Sequence, residues 1–148
     1  MITIDVIVLT KNNVDELRQT LASVPLLHED LKVKILIFDG SSFELPMSFF
    51  TDCLGDLSRH INYFWIPDVR GIYPSMNFAL RHVKSDWFIF LNSGDYFHPD
   101  FTMSSLYSSF LSEVSVVFGQ AEIKSSDSRL SWLVPDSRVR SINTWLHF

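Results

Sequence analysis

The chain has 148 residues, a formal net charge of −5 and a hydrophobic fraction of 47%. This length fits one domain, and the apolar content is too high for an intrinsically disordered protein. The single cysteine cannot form an internal disulfide, and an acidic chain without a block of Lys or Arg does not fit a nucleic-acid-binding protein. The amino terminus lacks a signal-peptide pattern, and no apolar run is long enough to span a membrane. We therefore expect a cytoplasmic, single-domain protein.

Short apolar segments alternate with segments of helical spacing along the first 119 residues. Asn13 and Glu16 have the spacing of a capping box at the start of the first helix, and the apolar run 87–91 predicts a strand buried on both faces. The alternation predicts an α/β fold with a mostly parallel sheet and helices on both faces. Strands are predicted over 3–10, 32–38, 61–66, 87–91 and 114–118, and helices over 14–22, 46–57, 73–83 and 100–112.

The alternation of strands and helices ends after Gly119. Segments 122–124 and 130–133 have the pattern of a hairpin closed by 125–128. Residues 139–148 are predicted to be helical or irregular.

Polar residues follow each of the first four predicted strands. Each segment alone would be explained as a turn or a helix cap, because Asp, Asn, Ser and Gly favour turns. Ligands bind beyond the carboxyl ends of the strands in open α/β sheets, so four such segments at one edge predict a binding site. The segments are Thr10-Lys11-Asn12, Asp39-Gly40-Ser41-Ser42, Asp68-Val69-Arg70-Gly71 and Asn92-Ser93-Gly94-Asp95.

Several common sites are excluded by their missing motifs. The glycines are scattered singly, so neither a P-loop nor a dinucleotide-binding fingerprint is present, and there is no G-x-S-x-G nucleophile elbow. An acidic edge with hydroxyl groups and an arginine suits a sugar or nucleoside joined to a metal-bridged diphosphate.

Four segments in order resemble glycosyltransferase family 2, most closely its bacterial colanic-acid-type branch. They are VIVLTKNN (6–13), IFDGSS (37–42), PDVRGIYPSMNFAL (67–80) and WFIFLNSGDYF (87–97). The resemblance implies the GT-A fold, a Rossmann-like and mostly parallel sheet with helices on both faces. It also implies a nucleotide-sugar-binding core over residues 1–119. Residues 120–148 would be a hairpin and the start of an acceptor-side region of the same domain, which this chain cuts short.

The resemblance also implies a role for individual residues at the strand ends. It places Thr10 and Asn12 in the nucleotide pocket and makes Asp39 an acceptor of a nucleobase hydrogen bond. Asp68, Arg70 and Gly71 would surround the base and phosphates. Asn77 would face the sugar donor. Asn92-Ser93-Gly94-Asp95 stands in place of the family's metal motif, in which Asp95 would bind Mn²⁺ or Mg²⁺ together with the nucleotide sugar.

The implied reaction is attack of an acceptor hydroxyl on the anomeric carbon of a nucleotide-diphosphate sugar, with inversion, during surface polysaccharide synthesis. The acceptor would be a glycan or a lipid-linked glycan, with the enzyme in the cytoplasm or at the inner face of the membrane. The apolar carboxyl-terminal tail, with Trp132, Trp145 and Phe148, would pack against missing sequence, a second copy or a membrane surface. The catalytic base is unassigned; Glu122 and Asp136 are the acids near enough to consider.

Departures from the family pattern support alternatives. Phe43-Glu44-Leu45 replaces the expected acid and glycine after Ser42, Pro74 stands where an Asp is common, and the metal motif has one acid. These departures suit an inactive or partner-dependent GT-A fragment that binds nucleotide or protein without turnover. A nucleotidyltransferase fits less well, because Lys11-Asn12-Asn13 does not resemble that group's glycine-rich loop.

Overall fold

A computed structural model describes residues 1–111, 117, 121–124 and 131–134. Backbone contacts group the chain into two compact units, Met1–Ser108 and Ser109–Phe148. The predicted division at residue 119 stays a prediction. The elements are β1 (Ile2–Thr10), α1 (Val14–Ser23), β2 (Leu31–Asp39), α2 (Met47–Leu54), a 3-10 helix (Gly55–His60), β3 (Ile61–Trp65), α3 (Ile72–Leu80), β4 (Trp87–Asn92), α4 (Met103–Phe110), β5 (Ala121–Lys124) and β6 (Ser131–Val134).

The first unit contains a four-stranded sheet in the order β3-β2-β1-β4, in which every pairing is parallel. The register aligns the carboxyl ends of the strands: Thr10 lies opposite Asp39 on one side of β1, and Leu9 lies opposite Asn92 on the other. This arrangement confirms the predicted parallel sheet and brings the polar strand ends to one edge.

The strand order fixes which helix covers which face. The chain moves from β1 to β2 to β3 in one direction and then returns past β1 to β4. Right-handed connections therefore place α1 and α2 on one face and α3 on the other. Ala79 of α3 packs in one cluster with Ile7, Leu9, Leu36 and Phe38, which share a face of the sheet.

The central strands are buried on both faces, which explains their unbroken apolar runs. Val6, Val8, Ile35 and Ile37 project to the face opposite the α3 cluster, and all four side chains are 0% exposed. Full burial of an aliphatic side chain stabilises the fold by about 1.5–3 kcal/mol. These two strands therefore form a rigid support for the loops at their carboxyl ends.

The prediction that β4 is buried on both faces is wrong for two residues: Phe88 is 48% exposed and Ile89 is 37% exposed. The reason is that β4 lies at one end of the described sheet, whereas β1 and β2 lie inside it.

Two helix predictions also need correction. Asn13 precedes α1 but makes no capping bond through its side chain; its Nδ2 instead donates to the Glu16 Oε2. α2 ends at Leu54 rather than near 57, because Gly55 takes a φ of 55° and a 3-10 helix follows. The observed α3 and α4 are likewise shorter than the predicted segments.

The second unit contains the predicted hairpin. β5 and β6 pair in antiparallel fashion from Ala121↔Val134 to Lys124↔Ser131. The fifth predicted strand, apart from Val117, and the tail over 139–148 lie outside the described residues. Among the helices that the structure does describe, none has the length and apolar character needed to cross a membrane.

Candidate functional site

A pocket opens at the carboxyl ends of β1 and β4. These strands flank the point at which the chain reverses its direction across the sheet, and open α/β sheets bind ligands at such a switch point. The pocket has a volume of about 360 Å³, within the range of small-molecule sites. It is lined by Leu9, Thr10, Lys11, Asn13, Phe38, Gly40, Val69, Gly71, Ile72, Ser75, Asn92 and Ser93.

The predicted site residues divide into those that line this pocket and those that do not. Thr10, Gly71, Asn92 and Ser93 line it. Outside the lining, Asp39 is fully buried and Gly94 is partly buried, whereas Asn12, Asp68, Arg70, Asn77 and Asp95 are exposed. The individual roles that the resemblance implies for these residues stay predictions.

Lys11 and Ser75 were not assigned roles from the sequence, yet both line the pocket. Lys11 is the charged residue of the lining, and a Cβ placed on Gly40 would lie 3.8 Å from the Lys11 Cδ, so the lysine stem passes over the glycine. The Ser75 hydroxyl donates to the Gly71 carbonyl at 2.9 Å and fixes the first turn of α3 at the pocket wall. Lys11 follows β1 directly, a position that could have identified it.

Asp39 is held by two donors below the surface. Its Oδ1 accepts the Ser41 N–H at 2.8 Å, and its Oδ2 accepts the Tyr63 hydroxyl at 2.9 Å. The Tyr63 oxygen in turn accepts the Leu45 N–H at 3.0 Å. Burial raises the pKa of Tyr63 well above its usual value, and the bond to Asp39 adds to this shift. The phenol therefore stays a donor, and it connects β3 to the loop after β2.

Asn12 joins the loops after β1 and β2. Its φ of 52° lies in the left-handed region that asparagine tolerates better than most residues. Its N–H donates to the Ser41 Oγ at 2.7 Å, and its Oδ1 accepts the Ser42 N–H at 3.1 Å. Both contacts lie within the protein, so Asn12 shapes the site through the neighbouring loop.

The segment after β4 is fixed on two sides. Toward the sheet, the Ser93 N–H donates to the Leu9 carbonyl at 2.9 Å. Toward α1, the Thr20 hydroxyl accepts the Gly94 N–H at 2.9 Å and donates to the Asp95 carbonyl at 2.8 Å. Sequence reasoning missed Thr20. The available signal is its position beside Leu17 and Leu21 in the buried stripe of α1, where a hydroxyl needs a partner.

Two oxygen donors near this segment could serve a hard cation. Asp95 offers an exposed carboxylate, and the buried Asn92 Oδ1 has no hydrogen-bond partner. Within the described ranges, no three His, Cys, Asp or Glu residues form a group that could hold a metal ion. Mg²⁺ is commonly held by one or two carboxylates together with ligand phosphates and water. The residues therefore fit a cation shared with a bound phosphate rather than a site made by the protein alone.

A second cavity of about 620 Å³ lies between α1 and the segment 96–101. It is larger than the sheet-edge pocket, yet none of the predicted site residues lines it. Its lining residues are Gln19, Ala22, Ser23, Pro25, Tyr96, Phe97, His98, Pro99 and Phe101. The position at the switch point, rather than size, identifies the sheet-edge pocket as the candidate site.

Two solved structures resemble this chain in fold. The mannosyltransferase PcManGT from Pyrobaculum calidifontis, solved in complex with GDP-Man and Mn²⁺, superposes with a TM-score of 0.53 at 18% identity, covering 64% of this chain and 28% of that one. S. aureus TarS gives a TM-score of 0.49 at 17% identity, covering 72% of this chain and 19% of that one. The chain thus spans less than a third of the length of either structure, and identity this low supports the fold alone.

The family comparison covers nearly the whole chain. Among curated proteins, none matches this chain. The family model described as Glycosyl transferase family 2 matches residues 5–146. The chain therefore belongs to glycosyl transferase family 2 and has the GT-A fold.

Proposed function

We propose that this chain binds a nucleotide-diphosphate sugar in the sheet-edge pocket and transfers the sugar to an acceptor hydroxyl. The observation that carries the proposal is the pocket itself, which lies at the switch point of the sheet and is lined by Thr10, Asn92 and Ser93. Family membership supports the reaction class.

The lining suits an anionic ligand with an apolar part. Lys11 supplies positive charge in a chain whose net charge is −5. Lys11 is exposed, and its positive charge attracts a diphosphate that enters the pocket. Val69 and Ile72, the more exposed apolar residues of the lining, supply surface against which a base or a sugar face can pack. The Thr10 hydroxyl can donate to a phosphate or sugar oxygen, whereas the Ser93 hydroxyl donates to the Asn13 carbonyl and offers its oxygen as an acceptor.

A divalent cation, Mn²⁺ or Mg²⁺, completes the proposed donor site. The Asp95 carboxylate and the Asn92 amide oxygen would hold it, and the diphosphate would supply further oxygens. Such a cation neutralises negative charge on a departing diphosphate. The presence of GDP-Man and Mn²⁺ in the PcManGT structure supports this choice of ligands.

In the proposed transfer, the acceptor oxygen forms a bond to the anomeric carbon while the bond from that carbon to the diphosphate oxygen breaks. A displacement from the opposite side inverts the anomeric configuration. The acceptor proton passes to a general base, for which we assign no residue. We propose a glycan or lipid-linked glycan of bacterial surface polysaccharide synthesis as acceptor, at the cytoplasmic side of the membrane.

One observation favours a second candidate function, nucleotide binding without turnover. The metal motif has a single acid, Asp95, with Asn92 at its first position, so the cation that the transfer needs would be held weakly. Release of nucleoside diphosphate from a panel of donor sugars by this chain would exclude the second candidate. Binding without release would support it over the transferase.

Calorimetric titration with GDP and UDP, with and without Mn²⁺, tests the donor site. We expect binding of at least one nucleotide, strengthened by Mn²⁺. Thr10→Val removes a pocket hydroxyl without changing the shape of the side chain and should weaken binding by about 2–10-fold, the effect of one neutral hydrogen bond. Thr51→Val, on the exposed side of α2, is the matched control and should leave affinity unchanged. Absence of heat with every nucleotide would refute the proposal.

A further inference from the structure

The segment that carries Asp95 is attached to α1 by three hydroxyl groups. The Ser93 hydroxyl donates to the Asn13 carbonyl at 3.3 Å, just before the helix begins. Thr20 contacts Gly94 and Asp95, and the Ser23 Oγ accepts the Phe97 N–H at 3.1 Å. The segment therefore runs along α1, with its backbone polar groups paired to side chains of the helix.

Thr20 occupies the position in this attachment that bears most directly on Asp95. Its side chain is 0% exposed, and its hydroxyl acts at once as acceptor for one residue and donor for the next. The hydroxyl thus uses its oxygen as an acceptor and its hydrogen as a donor, and both partners belong to the last two residues of the proposed metal motif, Gly94 and Asp95. The Asp95 backbone is thus fixed, while its side chain remains exposed to a ligand.

The backbone at Gly94 needs this support. Its φ is 99°, and a Cβ there would lie 2.8 Å from the Glu16 Oε2, so the segment passes α1 at close range. On the other side, the Asp95 N–H donates to the Asn92 carbonyl at 2.9 Å, which closes the turn. The turn is therefore held between β1 and α1, and the direction of the Asp95 side chain follows from both.

We propose that Thr20 is a positioning residue for the metal-binding carboxylate: its hydroxyl holds the Gly94–Asp95 backbone so that Asp95 reaches a nucleotide-bound divalent cation. This inference rests on the proposed donor site and adds the part of the protein that aligns it. Groups that orient a metal ligand commonly change metal affinity by about 10–100-fold when they are removed. Thr20 does not contact the ligand and acts only through Asp95.

The test compares Thr20→Val, Thr20→Ser and Ser23→Ala with the unmodified chain. Valine keeps the shape of threonine but has no hydroxyl, and serine keeps the hydroxyl. Ser23→Ala removes the attachment at Phe97 together with the bond from the Ser23 hydroxyl to the Thr20 carbonyl, and it leaves the Thr20 hydroxyl in place. Calorimetry with GDP or UDP, with and without Mn²⁺, gives the factor by which Mn²⁺ increases affinity. Thr20→Val should reduce that factor by about tenfold, whereas Thr20→Ser and Ser23→Ala should keep it. Exchange of the Gly94 amide hydrogen should accelerate in Thr20→Val alone.

The outcomes distinguish failure of this inference from failure of the proposed donor site. If Thr20→Val leaves the Mn²⁺ factor unchanged, including the case in which it weakens binding equally with and without Mn²⁺, Thr20 does not position the carboxylate. The donor site would still stand. If the unmodified chain binds no nucleotide, the donor site and this inference both fall. If Thr20→Val does not fold, Thr20→Ala replaces it and is judged by the same Mn²⁺ factor.

Discussion

Tyr63 donates its hydroxyl hydrogen to Asp39, with 2.9 Å between the phenol oxygen and the Oδ2. Tyr63 lies on β3 and Asp39 at the end of β2, so the bond joins neighbouring strands at the edge that carries the pocket. The same phenol oxygen accepts the Leu45 N–H. One side chain thereby orients a buried carboxyl group and fixes the loop that follows it.

Replacing Tyr63 with Phe should destabilise the protein. The change leaves the Asp39 Oδ2 and the Leu45 N–H without their partner, and an unpaired buried polar group costs about 1–3 kcal/mol. Urea denaturation measures the loss. Tyr73→Phe is the matched control, because Tyr73 is 76% exposed and its free energy of unfolding should not change. Equal stability of the two variants would show that the Tyr63–Asp39 bond contributes nothing.

The raised pKa of Tyr63 predicts a specific alkaline limit to stability. The folded state binds the phenol proton more tightly than the unfolded state does. The contribution of this phenol to the free energy of unfolding is therefore complete below the unfolded pKa of about 10. It is lost as the pH rises above 10 toward the raised folded value. Urea midpoints between pH 9 and pH 11 should fall more steeply for the unmodified chain than for Tyr63→Phe. Parallel curves would contradict the assignment.

Replacing Asp95 with Ala should abolish the effect of Mn²⁺ on nucleotide binding and leave the metal-free affinity unchanged. The carboxylate is the acid of the proposed metal motif, and no group of three potential metal ligands occurs among the described residues. Asp100→Ala is the control, because the Asp100 side chain is 93% exposed and its Oδ2 lies 3.6 Å from the His98 Nδ1. Calorimetry with and without Mn²⁺ decides: retention of the Mn²⁺ effect in Asp95→Ala would refute the metal assignment.

Replacing Gly94 with Ala should destabilise the chain by about 1–2 kcal/mol, the cost of a left-handed backbone conformation for a residue with a Cβ. Contact with Glu16 adds to this cost, and a Gly94→Ala/Glu16→Ala double variant should recover only that part. Gly40→Ala serves as the control, since its Cβ would meet atoms no closer than 3.8 Å. Thermal or urea denaturation that finds Gly94→Ala as stable as Gly40→Ala would contradict the observed φ.

Replacing Asp5 with Asn should cost about 1.5–3 kcal/mol. Asp5 is 2% exposed on β1, and its carboxylate accepts the Lys84 N–H, the Ser85 N–H and the Ser85 hydroxyl, which join β1 to the segment before β4. Asparagine has an NH2 group in place of one carboxylate oxygen, so at least one of these N–H or O–H groups would face another donor instead of an acceptor. Asp86→Asn, which weakens the exposed contact to Thr3, should cost less. The reverse order in urea denaturation would contradict this ranking.

The sequence predicted the elements of the described sheet and the chemistry of its edge. Apolar runs with β-branched residues located β1 and β2, and the polar residues after them identified the edge at which Thr10, Asn92 and Ser93 line a pocket. These features are local, since a strand signal and a turn signal depend on neighbours in the chain. The same local signals overestimated the burial of Phe88 and Ile89, because position within a sheet is not a local property.

The sequence by itself determined the family, the alternation of strands and helices, and the four polar segments that follow the strands. Only the tertiary structure decided that β4 lies beside β1, which creates the switch point and selects the residues that line the pocket. It also decided that Asp39 is enclosed by Tyr63 and that Thr20 holds the segment containing Asp95. The physical reason is that these contacts join residues 24 and 75 positions apart, and a hydroxyl finds such a partner only when packing brings the two segments together.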